Sequence, residues 1–216
     1  MLSVRGTPKD DRISIGLKAG DPTVLQVDIG DDNSPDASFP TASVARIDVD
    51  AGPGNDFVRI AEDNGRVLIP VTLKGGPGND ELTGGSGAET IDGGPGEDVL
   101  AGGSGAGSFD GGPGNDVLVG GSGPGSFDGG PGDDTITGSA GVDALDGGPG
   151  NDVVDGGRGN DAASLGPGDD TFVWLPGEGS DSVEGNSGRD TMVFDGAGAA
   201  EQIDLSANGR RMEVLD

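Results

Sequence analysis

The apolar residues in the central part of the chain recur every nine positions. From residue 75 to residue 173 the sequence divides without a gap into eleven nine-residue units, such as GGPGNDVLV and GGSGPGSFD. The eighth position of each unit is apolar, whereas the seventh and ninth positions are mixed and often polar. Because side chains alternate between the faces of a β-strand, each unit predicts a glycine-rich turn followed by a short strand with one inward side chain. The predicted inward residues are Leu82, Ile91, Leu100, Phe109, Leu118, Phe127, Ile136, Leu145, Val154, Ala163 and Phe172.

Such short strands can bury their single apolar side chain only by stacking on one another. Two units make one coil of 18 residues, and successive coils are expected to stack about 4.8 Å apart as two parallel sheets around a shared apolar seam. The predicted fold is therefore all-β, a parallel β-roll solenoid with two nine-residue units per coil. We place it at residues 75–196, because the register continues beyond the two-residue insertion Trp174-Leu175. Trp174 is expected to pack at that junction.

The two ends of the chain show other patterns. Alternating apolar residues predict strands at residues 13–17, 24–29 and 44–49, and a strand pair or one bent strand over residues 66–73. Since a solenoid needs covered ends, residues 1–74 are interpreted as a β-rich N-terminal cap, with an independent β-domain carrying its own ligand as the alternative. The dipeptide Asn208-Gly209 lies between two alternating stretches and predicts a capping hairpin within residues 197–216.

Composition and charge narrow the possible functions. The chain of 216 residues contains no Cys and no His, which excludes disulfides, thiolate or imidazole metal sites, and histidine-dependent hydrolases. Acidic residues number 39 against 12 basic ones, a net charge of -27, which argues against binding of nucleic acid or of an anionic membrane. The sequence has no apolar run of the roughly 20 residues needed for a membrane span. Its high glycine and proline content is typical of disorder, but the strict period indicates a repeat fold instead.

The sixth position of each unit divides the units into two sets, which an 18-residue coil places on opposite edges. The units that begin at Gly75 and at every second unit thereafter carry Asp without exception, whereas the other set begins with Glu89, Gly107 and Gly125. We infer a one-sided carboxylate ladder that binds metal. The second edge is expected to bind metal only near its C-terminal end. Upstream, Asp56 stands in register, and Asp11 offers a weaker match. The predicted metal ligands are Asp80, Asp98, Asp116, Asp134, Asp152, Asp170 and Asp190, with Asp143, Asp161 and Asp181 on the second edge and Asp56 upstream.

A stack of carboxylates requires a cation. At a spacing of about 4.8 Å, neighbouring charges repel by about 3–4 kcal/mol at an effective dielectric constant of 20. Calcium takes six to eight oxygen ligands in flexible geometry, whereas magnesium demands a tighter octahedron, and zinc and copper prefer nitrogen and sulfur. We therefore predict Ca²⁺ as the cofactor, at roughly five to eight ions. The alternative is that these Asp residues are simply turn formers. Asp92, Asp110, Asp128 and Asp146 are interpreted as solvated, although they could attract further cations.

The units GGPGNDELT and GGPGNDVLV resemble the RTX, or hemolysin-type, calcium-binding repeat GGxGxDxUx, whose family fold is the parallel β-roll. The resemblance is close over residues 75–173 and looser to about residue 196. It implies a secreted or cell-surface bacterial protein that crosses a type I secretion apparatus unfolded and folds on calcium outside the cell.

These observations favour a non-catalytic calcium-binding module of a secreted or surface protein. One alternative is a calcium-stabilised module that recognises a polysaccharide or a protein, with the Ser-Gly turns at residues 102–107 and 120–125 as the surface to test. A less favoured alternative is an accessory part of a secreted hydrolase or epimerase, since RTX repeats accompany such enzymes. The chain carries none of their catalytic motifs, neither HExxH nor a GxSxG elbow. No catalytic residue is predicted.

Overall fold

The described chain consists almost entirely of short β-strands. The structure, a computed structural model, describes residues 1–30, 34–175 and 177–194 and the backbone of residues 213–214. The strands are β1 (Leu2–Arg5), β2 (Arg12–Lys18), β3 (Asp21–Ile29), β4 (Ala37–Pro40), β5 (Ile47–Asp50), β6 (Phe57–Ala61), β7 (Val71–Lys74), β8 (Glu81–Thr83), β9 (Glu89–Asp92), β10 (Val99–Ala101), β11 (Gly107–Asp110), β12 (Val117–Val119), β13 (Gly125–Asp128), β14 (Thr135–Thr137), β15 (Ala144–Asp146), β16 (Val153–Asp155), β17 (Ala162–Ser164), β18 (Thr171–Trp174), β19 (Ser182–Glu184), β20 (Thr191–Phe194) and β21 (Glu213–Val214). One 3-10 turn, Thr41–Ser43, is the helical element of this described part.

The strands alternate between two sheets as the chain coils. Among the described residues, the first sheet has the order β1-β5-β7-β9-β11-β13-β15-β17-β19 and the second the order β21-β20-β18-β16-β14-β12-β10-β8-β6-β2-β3-β4. Neighbouring coils pair in parallel with identical positions opposite each other, as Leu100 with Leu118 and Phe109 with Phe127. The molecule is a parallel β-solenoid with two strands per coil, which confirms the predicted fold class.

The apolar seam runs between the two sheets. All eleven predicted inward residues are buried, and the most exposed of them, Ala163, is 5% accessible. The seam continues into the N-terminal strands through Ile13, Ile15, Ile47, Val49 and Val58. One inward side chain per strand is therefore enough to form a continuous core, because it stacks on the inward side chain of the neighbouring strand.

The coiling begins at the N-terminus of the chain. β1, β5 and β7 extend the first sheet, and β2 and β6 extend the second, all in parallel register. Neither sheet is interrupted at the predicted boundary between residues 74 and 75. The hairpin of β3 and β4 pairs antiparallel to β2 and covers the N-terminal end of the second sheet.

Residues 66–73 differ from the prediction of a strand pair or a bent strand. Only β7 is extended here, and Val67 is buried in a loop, where its N–H donates to Oε1 of Glu62 at 2.8 Å. Asp56 and Asp80 are 24 residues apart, six more than one coil. The loop over residues 62–70 absorbs this excess and leaves the register intact.

At the C-terminal end, the indole of Trp174 stacks on the ring of Phe194, with centroids 4.9 Å apart. Trp174 also packs against the apolar seam, so it lies at the junction formed by the insertion. β21 pairs in parallel with β20 through Thr191 and Glu213. The predicted hairpin around Asn208-Gly209 lies outside the described residues.

Candidate metal-binding edge

The turns between the sheets form two edges of the solenoid. The turns that lead from the first sheet to the second make up the ladder edge, at residues 6–11, 51–56, 75–80, 93–98, 111–116, 129–134, 147–152, 165–170 and 185–190. The turns that lead back to the first sheet make up the opposite edge, at residues 84–89, 102–107, 120–125, 138–143, 156–161 and, in part, 177–181. The ladder edge carries the complete series of aspartates predicted from the sequence.

Each aspartate of the ladder edge is held by the preceding coil. Oδ1 of Asp116 accepts a hydrogen bond from the backbone N–H of Asp98 at 2.7 Å. The same bond joins every coil of this edge, from the N–H of Asp11 to Oδ1 of Asp56 at 2.7 Å and finally from the N–H of Asp170 to Oδ1 of Asp190 at 3.3 Å. This bond fixes the orientation of each carboxylate, and it places Asp11 in the register suggested by the sequence.

The second oxygen of these carboxylates is buried without a partner. This holds for Oδ2 of Asp56, Asp80, Asp98, Asp116, Asp134, Asp152 and Asp170. The residues are also almost fully buried, with Asp98 and Asp116 each 1% accessible. A buried polar atom without a hydrogen bond is costly, and an unpaired charge is more so. A regular row of such atoms is therefore typical of carboxylates that bind a cation.

The geometry around each free oxygen suits a calcium ion. A Cβ built on Gly111 would lie 2.6 Å from Oδ2 of Asp116 and 2.6 Å from the carbonyl oxygen of Gly129 in the next coil. Because both atoms lie that close to one point, they are no more than about 5 Å apart, a span that one ion with Ca–O distances of 2.3–2.6 Å can bridge.

The same cradle recurs along the edge. The space beside Gly93 is 2.5 Å from Oδ2 of Asp98 and 2.7 Å from the carbonyl oxygen of Gly111. In the described residues, no three Asp or Glu side chains converge to form a metal cluster. A cation on this edge would therefore take its further ligands from backbone carbonyls, which calcium accepts readily.

The glycines of the ladder edge are required by backbone conformation and by contact. Gly112 has a φ of 96° and Gly114 a φ of 146°, in the region that favours glycine. A Cβ on Gly114 would lie 1.7 Å from the carbonyl oxygen of Gly96. The turns therefore stack too closely to admit any side chain at this position.

Burial raises the pKa of the ladder carboxyl groups. Desolvation, followed by repulsion from neighbouring carboxylates, outweighs the backbone hydrogen bond and raises the pKa of Asp98 to about 7. The pKa of each of the following is raised to about 6 for the same main reason: Asp80, Asp116, Asp134, Asp152 and Asp170. The ionised ladder is therefore strained near neutral pH unless a cation or a proton compensates it.

The opposite edge carries similar carboxylates only near its C-terminal end. Oδ1 of Asp161 accepts from the N–H of Asp143, and Oδ1 of Asp181 accepts from the N–H of Asp161, at 2.9 and 3.0 Å. Oδ2 of Asp161 and of Asp181 is buried without a partner, as on the ladder edge. Burial raises the pKa of Asp181, and the side chain of Trp174 opposes this rise. These two residues thus reproduce the ladder geometry.

Asp143 is placed differently from the other predicted ligands. Its Oδ2 accepts from the N–H of Ser139 at 2.6 Å and from the Ser139 hydroxyl at 2.8 Å, while its Oδ1 accepts from the N–H of Gly125 at 2.6 Å. Both oxygens are occupied, so Asp143 offers no free atom comparable to Oδ2 of Asp161.

The sequence analysis did not consider the fifth position of the ladder-edge units. The side-chain oxygen of Asn115 accepts from the N–H of Asp133 at 2.8 Å, and Oδ1 of Asp133 accepts from the N–H of Asn151 at 2.8 Å. These bonds run in the opposite sense to those of the Asp ladder, from each coil back to the one before it. The recurrence of Asn or Asp at this position was the signal that could have revealed them.

The repeats match a known family. The model of the RTX calcium-binding nonapeptide repeat (4 copies) matches residues 72–100, 92–127, 128–163, 148–173 and 177–196, more than half of the chain. No curated protein and no solved structure matches the chain. Within the described residues, no helix is long and apolar enough to cross a membrane. The matched segments carry the ladder aspartates from Asp80 to Asp190, and the chain accordingly belongs to the family of RTX calcium-binding nonapeptide repeat proteins.

Proposed function

We propose that the chain is a calcium-loaded β-roll in which single ions bridge neighbouring turns of the ladder edge and complete the fold. The observation that carries this proposal is the row of buried Oδ2 atoms, of which five lie close to a backbone carbonyl oxygen of the next coil, those of Asp80, Asp98, Asp116, Asp134 and Asp152. Calcium replaces the missing partner of each oxygen and cancels the repulsion between stacked carboxylates.

The proposed ligands are those predicted from the sequence. On the ladder edge they are Asp56, Asp80, Asp98, Asp116, Asp134, Asp152, Asp170 and Asp190, and on the opposite edge Asp161 and Asp181, with Asp143 as the member whose oxygens are already bonded. One ion between each pair of neighbouring turns gives roughly five to eight ions in all. When bound, calcium supplies positive charge and a link between coils, and no catalytic role is assigned to any residue.

We further propose that the module folds outside the cell. Extracellular calcium modules bind with a Kd of about 10⁻⁴–10⁻³ M, so a chain of this kind is unloaded in a low-calcium cytoplasm and loaded after export. The raised pKa of the ladder carboxyls supports this, because the unloaded ladder is strained near neutral pH. Export through a type I secretion apparatus and a location outside the cell or on its surface are implied by the family alone.

A calcium titration of the full chain tests the proposal. Circular dichroism should report a transition from coil to β-structure near millimolar calcium, and calorimetry should count roughly five to eight ions. Magnesium should produce a much weaker response, because it requires octahedral geometry and retains its water. A chain that is already rich in β-structure in EDTA and does not respond to calcium would contradict the proposal.

A second candidate function is recognition of a polysaccharide or a protein partner. It is favoured by the exposed valines on the outer face of the second sheet, where Val99, Val117 and Val153 are 37–42% accessible. Calcium-dependent retention of the chain on an alginate or pectin resin would support glycan recognition. Elution at unchanged volume from acidic and neutral glycan resins would argue against it.

A further inference from the structure

A cavity of about 200 Å³ lies on the outer face of the second sheet, outside the turns that carry the ladder aspartates. Part of its floor is a row of polar residues that crosses three strands at the N-terminal end of this sheet. Asp28 on β3 lies opposite Ser14 on β2, and Ser14 lies opposite Arg59 on β6. The volume is below the roughly 300–1,000 Å³ that is typical of drug-sized ligand sites, so the cavity suits a small molecule.

The neighbouring row of the floor has no side chain at its centre. Gln26 on β3 lies opposite Gly16 on β2, and Gly16 lies opposite Ala61 on β6. A Cβ on Gly16 would lie 2.5 Å from the carbonyl oxygen of Ala61, so a larger residue there would require a shift of the backbone. The bare backbone at Gly16 leaves space between its two neighbours. Pro35 and Asn64 also line the cavity and are exposed, so it opens to solvent.

Asp28 lines this cavity with a carboxylate that the fold does not satisfy. The residue is 8% accessible, and its Oδ1 is buried without a hydrogen-bond partner. Ser14 beside it is also buried, and its hydroxyl accepts from Nε of Arg59 at 3.2 Å. A buried carboxylate oxygen without a partner costs free energy of folding. A ligand that donates a hydrogen bond to Oδ1 of Asp28 would remove this cost.

The mixture of lining groups favours a neutral ligand that is rich in hydroxyl groups. The guanidinium of Arg59 disfavours a metal cation, and the carboxylate of Asp28 disfavours an anion. The amides of Gln26 and Asn64 can each donate and accept, whereas an ionised carboxylate only accepts. A sugar hydroxyl donates and accepts as well, and its bond to a carboxylate is of the strong, charge-assisted kind. Leu17, which also lines the cavity, offers apolar surface to the C–H groups of a sugar ring.

We propose that this cavity binds a single sugar unit, with one of its hydroxyl groups donating to Oδ1 of Asp28. Further hydroxyl groups pair with the amides of Gln26 and Asn64. A free monosaccharide and the terminal unit of a glycan share this chemistry. The site goes beyond the proposed calcium binding and does not rest on it. It gives residues 1–74 a binding role in addition to covering the end of the solenoid.

Saturation-transfer NMR of the full chain in excess calcium tests the proposal. The probes are glucose, mannose, galactose, N-acetylglucosamine and glucuronate, each as the free sugar and as its methyl glycoside. A ligand of about a dozen non-hydrogen atoms is expected to bind with a Kd in the millimolar range. Glucuronate should bind more weakly than glucose, because Asp28 repels its carboxylate. Binding of a methyl glycoside would identify the terminal unit of a glycan as the occupant, whereas binding of the free sugar alone would identify a monosaccharide.

Asp28→Asn is the decisive variant, because it keeps the shape of the side chain and removes its charge. We expect D28N to weaken sugar binding at least about tenfold, since a hydrogen bond to a charged group is lost. The same variant should retain every calcium ion and unfold at the same or a higher urea concentration, because a buried unpaired charge is removed. The matched control is Asp50→Asn, which removes an exposed carboxylate from the first sheet and should leave sugar binding unchanged.

The outcomes decide between a sugar site, a cation site and a structural residue. Absence of binding for every probe, or equal binding by D28N and the unaltered chain, would overturn the proposal. Loss of one calcium ion in D28N would assign the cavity to a cation and would likewise overturn it, while leaving calcium binding by the ladder edge intact. If D28N fails to fold, Gln26→Ala serves as the second variant. It should also weaken sugar binding, and unchanged binding by Q26A would contradict the proposed site.

Discussion

The N–H of Asp98 donates to Oδ1 of Asp116 at 2.7 Å and leaves Oδ2 of Asp116 buried without a partner. Each ladder aspartate therefore has two separate tasks. Its first oxygen joins its own coil to the preceding one, whereas its second oxygen faces the next coil, close to a carbonyl such as that of Gly129. Stacking of the coils thus prepares the cation site, and the cation in turn links the coils.

Asp116→Asn should have opposite effects on the loaded and unloaded chains. The amide oxygen can still accept from Asp98, and the substitution removes one charge from the stacked carboxylates. Without calcium, the variant should be more stable by about 1 kcal/mol, because repulsion between neighbouring charges is relieved. At a calcium concentration ten times Kd, it should lose about 1.4 kcal/mol per abolished site.

Folding induced by the osmolyte TMAO in EDTA measures the first effect, and urea unfolding in excess calcium measures the second. The matched control is Asp63→Asn, which removes an exposed carboxylate from the loop over residues 62–70. This control changes net charge by the same amount away from the ladder, so it should leave the calcium midpoint nearly unchanged. Identical behaviour of D116N and D63N would mean that Asp116 acts only through net charge.

The repeating part of the fold could be predicted because every coil creates the same environment. Leu118 and Phe127 are buried for the reason that applies to each eighth position. Asp56 was found in register in spite of its longer coil, because the sequence AGPGND carries the turn signal by itself. The ladder aspartates are buried because each occupies the sixth position of the same kind of turn.

The features that lie outside the repeat could not be predicted in this way. The hairpin of β3 and β4 pairs antiparallel with β2, and the nine-residue repeat does not predict this pairing. The loop over residues 62–70 accommodates six residues more than a regular coil, and the repeat pattern does not predict its path. On the opposite edge, the closeness of Gly107 to the ring of Phe109 becomes visible only when the path of the turn is known.

The metal-free chain should be more stable at pH 5 than at pH 8. The pKa of Asp98 in the folded chain is raised to about 7, and that of Asp116 to about 6, from an ordinary value of 3.8. A carboxyl group with a raised pKa binds its proton more tightly in the folded state, so its stabilising contribution is complete below the ordinary pKa and is lost as pH rises through the folded value. The window of change therefore lies between about pH 4 and about pH 7.

Circular dichroism in EDTA across this pH range measures the effect. In the presence of calcium, stability should instead increase with pH, because protons and calcium compete for the same oxygens. The calcium midpoint should accordingly rise as pH falls below about 7. D98N should weaken the pH dependence in EDTA, since it removes the carboxyl with the highest ladder pKa. An increase in stability of the metal-free chain from pH 5 to pH 8 would contradict the strained ladder.

Trp174 should report on the cation site of the opposite edge. It is the single tryptophan of the chain, and its side chain lies near enough to the carboxyl group of Asp181 to oppose the rise of that group's pKa. Terbium, a hard cation that binds calcium ligands, should therefore emit when this tryptophan is excited. Asp181→Asn should abolish most of the emission, whereas D116N, in a distant coil of the other edge, should preserve it. Equal emission from both variants would indicate that no cation lies beside Trp174.

Gly114→Ala should break the ladder edge through contact between coils. A Cβ at Gly114 would lie 1.7 Å from the carbonyl oxygen of Gly96, and its φ of 146° is strained for alanine. We expect a loss of at least about 3 kcal/mol in calcium and loss of the ions in the adjoining turns. Because each coil contacts only its neighbours, the distant sites should persist.

The control for Gly114→Ala is Gly105→Ala. The φ of Gly105 lies outside the positive region that strains alanine, but a Cβ there would lie 1.8 Å from the carbonyl oxygen of Gly87, so this variant isolates the cost of contact. It should lose at least about 3 kcal/mol as well. Urea unfolding of the two variants in calcium separates contact from conformation. A much smaller loss in G105A would mean that the motif glycines serve chiefly to allow positive φ, whereas comparable losses would establish that close stacking of the turns selects glycine.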